Sequence, residues 1–121
     1  MDWIIIAVAV LLVIAYVFLR RKGQISVDAA VMHLKEGAVV IDVRSPAEFS
    51  TGHLKDAINM PLPQIERLIV NRVKDREKVL LLHCQSGMRS GVAKRKLDAL
   101  GYTRAYNLGS YARALHIVNR A

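Results

Sequence analysis

Lys78-Val79-Leu80-Leu81-Leu82-His83-Cys84-Gln85-Ser86-Gly87-Met88-Arg89-Ser90 reads as a strand that runs into a turn and then a helix. Residues 78–83 have a continuous apolar centre without polar alternation, the pattern of a strand covered on both faces. Beyond Ser90, Ala93, Leu97 and Leu100 fall on one helix face, which Gly101 terminates. Cys84 therefore stands at the C-terminal end of a buried strand. Backbone N–H groups in such a glycine-containing turn converge on a common point, beside the positive end of the helix macrodipole. Free cysteine titrates at about 8.5, and a helix N-terminus with a nearby cation lowers that to roughly 3.5–7.5. Arg89 is the candidate cation, its planar donor fork suited to a sulfonate or phosphate. The competing reading of a lone cysteine is a small buried residue that fills a strand end.

Working outward, Ser26 to Glu36 reads as a helix capped by Ser26 and ended by Gly37, with Val27, Ala30, Val31 and Leu34 inward. Ala38-Val39-Val40-Ile41 is a second buried strand ending at Asp42. Apolar residues at helical spacing follow from Leu62 to Val73, Arg104 to Leu108 reads as another strand, and a last helix covers Tyr111 to Val118. Strands alternating with helices predict an α/β fold with a mostly parallel sheet between helical layers, where ligands gather beyond the carboxyl ends of the strands.

The first residues are of a different kind. Trp3 to Leu19 is a run of seventeen residues without a charge, the short end of what crosses a bilayer as a helix. No basic stretch precedes it and no small-x-small site follows it at once, so a retained anchor is expected rather than a cleaved signal. It is apolar on every face, unlike the helix of a soluble core. Asp2 precedes the run, and Arg20, Arg21 and Lys22 follow it, which places the remainder of the chain on the cytoplasmic side. The expected organisation is an anchor with a basic flank over 1–22 and one domain over 23–121, contacting the membrane through residues 3–19.

The chain of 121 residues carries a net charge of +8, but its basic residues are scattered and form no base-reading module, so no nucleic-acid partner is expected. The run Lys94-Arg95-Lys96 suits either an anionic leaflet or a solvated helix face. One cysteine excludes an internal disulfide, and no Cys or His cluster signals a metal site.

Two motifs resemble the rhodanese family of persulfide-forming sulfurtransferases. The first is Asp42-Val43-Arg44-x-x-x-Glu48-Phe49-x-x-Gly52-His53-Leu54-x-x-Ala57-Ile58-Asn59-Met60-Pro61. The second is Cys84-x-Ser86-Gly87-x-Arg89-Ser90-x-x-Ala93-x-x-x-Leu97-x-x-x-Gly101-Tyr102. The resemblance implies the rhodanese-like three-layer fold and a cofactor-free relay. In that relay Cys84 takes sulfur from thiosulfate or another persulfide and passes it to cyanide or a thiol, a protein thiol among them. Arg89 would hold the donor's anionic end, with Gln85, Ser86, Gly87, Met88 and Ser90 forming the rest of the binding loop. Asp42 and Arg44 would brace that loop; an Arg44–Glu48 ion pair is the equal alternative. His53 reads as structural. His83, next to the nucleophile, points to the opposite face of its strand.

The loop also resembles that of cysteine-dependent phosphatases, which place five residues between Cys and Arg. Four stand here, which favours sulfur transfer. The family often ends in Leu-Gly-Gly followed four residues later by Trp. This chain has Leu108-Gly109-Ser110 and Ala114, which leaves a weakly active or purely binding module as the alternative function.

Overall fold

A computed structural model describes residues 2–121, without the side chains of Arg20, Arg21 and Lys22; the basic flank expected there lies outside the described side chains. The chain order is α1 (Asp2–Lys22), α2 (Val27–Lys35), β1 (Val39–Asp42), α3 (Pro46–Thr51), β2 (Ile58–Asn59), a 3-10 turn (Leu62–Gln64) and α4 (Ile65–Arg72). Then come β3 (Leu80–His83), α5 (Met88–Ala99), β4 (Ala105–Gly109) and α6 (Tyr111–Arg120). The four strands form one sheet in the order β2-β1-β3-β4, and every pairing is parallel. The sequence reading lacked β2, whose two residues are too few for a periodicity to register, and α3 beside it.

Strand alternation sorts the core into two layers. Ile41, Leu80, Leu82 and Cys84 face α4 and α5, where Ile65, Ile69, Ala93 and Leu97 are fully buried. Val40 and Leu81 face the other way, onto α2 and α6 with Ala30, Ala114 and Ile117. Successive side chains of a strand point to opposite faces, so β1 and β3 must be apolar on both sides, as they are up to their last residues, the buried Asp42 and His83. Ser26 caps α2 by accepting from the Ala29 N–H at 3.2 Å. Ser110 has φ −72° and caps α6 by accepting from the Arg113 N–H, so its departure from glycine places no strain on the chain. Ala114 is buried and α6 packs without the aromatic residue.

The window Asp2–Leu19 of α1 has mean hydropathy 2.7 and none of it is buried within the protein. By length and composition it is a candidate membrane span.

Candidate active site

Cys84 leaves β3 on the same face as Leu82 and is fully buried. The next residues turn sharply: Gly87, at φ +93°, caps α5 and donates its N–H to Cys84 Sγ at 3.0 Å. Ser90, in the first turn of α5, is buried with its hydroxyl 3.6 Å from the same sulfur. Burial pushes the thiol up. The Ser90 hydroxyl and the N–H groups of Ser90, Gly87 and Ser86 outweigh it, and the thiol lies below its ordinary value. The sulfur thus sits at a helix N-terminus among converging donors, as the turn's sequence predicts.

Arg89 is half-exposed at the mouth, where Glu48 of α3 grips it through both guanidinium ends, at 2.6 and 2.9 Å. Glu48 also closes a capping box with Ser45, accepting from the Ser45 N–H at 3.1 Å while the Ser45 hydroxyl accepts from the Glu48 N–H. The Arg89 guanidinium, helped by the Ser45 N–H, lowers the Glu48 carboxyl to about 2. Glu48 therefore belongs to Arg89. The Arg44–Glu48 pair weighed from sequence is not formed, because Asp42 takes Arg44 instead. Arg44 donates to Asp42 from Nε at 3.0 Å and from Nη2 at 2.8 Å, both side chains being buried. It reaches on to the Gly52 carbonyl at 2.7 Å and to Gln85 Oε1 at 3.5 Å, and lies 4.7 Å over the Tyr111 ring. The hydrogen bond to Asp42 raises Arg44 above its ordinary value.

His83 and Cys84 point to opposite sides of the sheet. His83 Nδ1 lies 3.2 Å from the Cys84 carbonyl, its ring meets Tyr111 edge-on, and burial lowers its pKa. It is not placed to take a proton from the sulfur. His53 is exposed, stacked on Phe49 and 3.0 Å from the Phe49 carbonyl, as expected of a structural turn residue. Gln85 accepts the Tyr111 N–H through its carbonyl, and Met88 projects into solvent.

A family profile for the rhodanese-like domain matches residues 26–113, spanning the whole of this arrangement. The chain belongs to the rhodanese-like domain family. Thiosulfate sulfurtransferase PspE of Escherichia coli K12 is 38% identical over 69 residues, which are 57% of this rhodanese-like chain and 66% of PspE. The uncharacterized protein YqhL of Bacillus subtilis is 33% identical over 102 residues, covering 84% of this chain and 79% of YqhL. The solved structure of the human single-domain sulfurtransferase TSTD1 superposes with a TM-score of 0.65 at 28% identity, over 78% of this chain and 96% of that one. Together, the family match and the relatives named as sulfurtransferases support a rhodanese-type enzyme.

Two residues of this rhodanese-like site escaped the sequence reading. Asn107, buried in β4, accepts the Ser90 hydroxyl at 2.7 Å and the Gly109 N–H at 2.8 Å on Oδ1, and donates from Nδ2 to the Gly87 carbonyl at 3.2 Å. Gln24, just beyond α1, lies against both Gly87 and Gly109. A polar residue inside an apolar strand is the one signal that pointed to Asn107, since a buried amide requires partners.

Proposed function

We propose that the protein is a membrane-anchored sulfurtransferase in which Cys84 carries sulfur as a persulfide. The observation that carries the reading is the Gly87 N–H aimed at Cys84 Sγ from 3.0 Å at the start of α5. First, the Cys84 thiolate attacks the outer sulfur of thiosulfate or another sulfane-sulfur donor. With thiosulfate, a bond forms at Sγ, the donor's sulfur–sulfur bond breaks, and sulfite leaves with the electron pair. Then cyanide or a thiol attacks the terminal sulfur, and Sγ departs again as thiolate. The N–H groups of Ser86, Gly87 and Ser90 receive the negative charge as it passes between the two sulfurs. Because the thiol is already lowered by these donors, no general base is required.

Arg89, oriented by Glu48, serves the donor's anionic end, while Gln85, Met88 and Ser90 complete the loop. Asp42 and Arg44 brace it from β1 through Gln85. Residues 1–22 form the anchor, with 3–19 in the bilayer, and 23–121 form the cytosolic domain, where a protein thiol at the membrane is one acceptor. Charge asymmetry about the apolar run supports that orientation.

The test is the intact mass of the full chain in detergent, before and after thiosulfate, beside Cys84→Ser. A gain of one sulfur atom that needs Cys84 and is removed by cyanide is expected. No gain with thiosulfate or with a low-molecular-weight persulfide would sink the relay and leave a binding module.

A further inference from the structure

The chain leaves α1 and is fastened at once beside the Cys84 loop. Gly23 alone separates Lys22, the end of α1, from Gln24, which bridges Asn107 of β4. The Ile25 N–H donates to the Asn107 carbonyl at 3.0 Å. A Cβ at Gly87 or Gly109 would fall 3.3 or 2.8 Å from Gln24 Nε2, so the linker side chain rests directly on the two glycines that flank the site. One residue spans at most about 3.6 Å, which keeps the end of α1 close to the loop.

Where they meet there is a cavity of about 770 Å³. Its walls include Tyr16 and Leu19 from the last turns of α1, and Met88, Val92, Lys94 and Arg95 from α5; among the described residues no acidic side chain lines it. Met88 is 64% exposed. Arg95 has no ion-pair partner among the described residues, and the Lys94–Asp98 pair is surface-exposed and cheap to exchange. The lining is therefore apolar toward the end of the candidate span and cationic along α5.

We propose that this cavity seats the headgroup of an anionic phospholipid, docking α5 on the bilayer so that the Cys84 loop works at headgroup depth. The inference rests on α1 being an anchor. Leu19 then ends the apolar run and Tyr16 lies in the interfacial zone that favours its ring, so acyl chains meet Tyr16, Leu19 and Met88. The lipid phosphate meets Lys94 and Arg95, each of which contributes through attraction to an anionic leaflet. Donor and acceptor would then reach Cys84 along the membrane plane.

The experiment uses the full chain carrying Cys84→Ser, with a fluorophore on Met88→Cys or on Lys55→Cys. It is reconstituted in phosphatidylcholine with or without phosphatidylglycerol, together with a lipid bearing a headgroup nitroxide. Lys55 precedes β2 at the far edge of the sheet, three strand spacings or about 14 Å from β4. The expected result is quenching at position 88 severalfold greater than at 55, strengthened by phosphatidylglycerol and weakened by salt. Lys94→Gln with Arg95→Gln should abolish the phosphatidylglycerol dependence. A chain retained in alkaline-washed membranes with equal quenching at both positions, or with a phosphatidylglycerol dependence that is absent or survives the double substitution, overturns the headgroup seat and leaves the anchor standing. A chain released by the wash overturns both.

Discussion

Replacing Gly87 by alanine asks whether the fit of the loop around sulfur sets the rate. Gly87 has φ +93°, a conformation that costs a side-chain-bearing residue ~1–2 kcal/mol. The new Cβ would lie 3.3 Å from both Cα and the carbonyl carbon of Gly109. That backbone is pinned: its carbonyl accepts the Cys84 N–H at 3.3 Å and its N–H donates to Asn107 at 2.8 Å. The loop therefore yields by a few tenths of an ångström, and it carries the 3.0 Å donor to sulfur. A hydrogen bond to a charged group contributes ~1.5–3 kcal/mol, so its loss lowers kcat/KM for thiosulfate by about 10–100-fold. Stability falls by ~2 kcal/mol, and Tm by about 8–16 °C for a domain of this size. Gly101→Ala is the control, because Gly101 has φ +90° and nothing within 4 Å of an added Cβ. It should lose a similar Tm and keep its kcat/KM. Thiocyanate formation from thiosulfate and cyanide, with thermal unfolding of the full chain in detergent, reads both quantities. A Gly87→Ala protein that matches Gly101→Ala in stability while turning over like the parent refutes the reasoning.

Ser90→Ala removes a donor that offsets burial at Cys84, so the thiol rises; the pH–rate curve moves to higher pH and the rate at neutral pH drops about 3–10-fold. Glu48 is lowered from 4.5 to about 2, so its pair with Arg89 stabilises the fold fully above pH 4.5 and ceases to do so as the pH falls toward 2. Glu48 is a third exposed and screening limits that contribution to ~1 kcal/mol; Glu48→Gln should remove this component from the acid limb of the unfolding curve. Asp42→Ala strands the buried Arg44 guanidinium and should cost ~3–5 kcal/mol in urea unfolding, whereas a loss under ~1 kcal/mol would show the pair to be dispensable.

The central strands were legible because both faces of β1 and β3 are covered, leaving unbroken apolar runs up to their last residues, Asp42 and His83. The turn after Cys84 was legible because one glycine and a helix start suffice to gather N–H groups. Side-chain pairing was not. Asp42, Arg44 and Glu48 lie within seven residues, and local chemistry allows Arg44 either acid. The choice is made by Arg89, forty-one residues away in sequence, which meets Glu48 only because β1 and β3 are neighbours. Likewise, β2 owes its existence to the partner strand, with Ile58 and Asn59 opposite Ile41 and Asp42.

Asn107 shows why the polar interior of such a site is hard to anticipate and hard to alter. The single proton of the Ser90 hydroxyl has two acceptors, Asn107 Oδ1 at 2.7 Å and Cys84 Sγ at 3.6 Å, and while the sulfur is neutral the shorter bond takes it. Once sulfur carries a full negative charge, a charge-assisted bond is about twice as strong as a neutral one, and the hydroxyl gains by turning toward it. The turn leaves no orphan behind, because Oδ1 still accepts the Gly109 N–H at 2.8 Å. Meanwhile Nδ2 keeps hold of the Gly87 carbonyl, so the donor at 3.0 Å stays in place while the hydroxyl moves. The amide thus lets one donor follow the charge on sulfur without loosening the loop that carries the other.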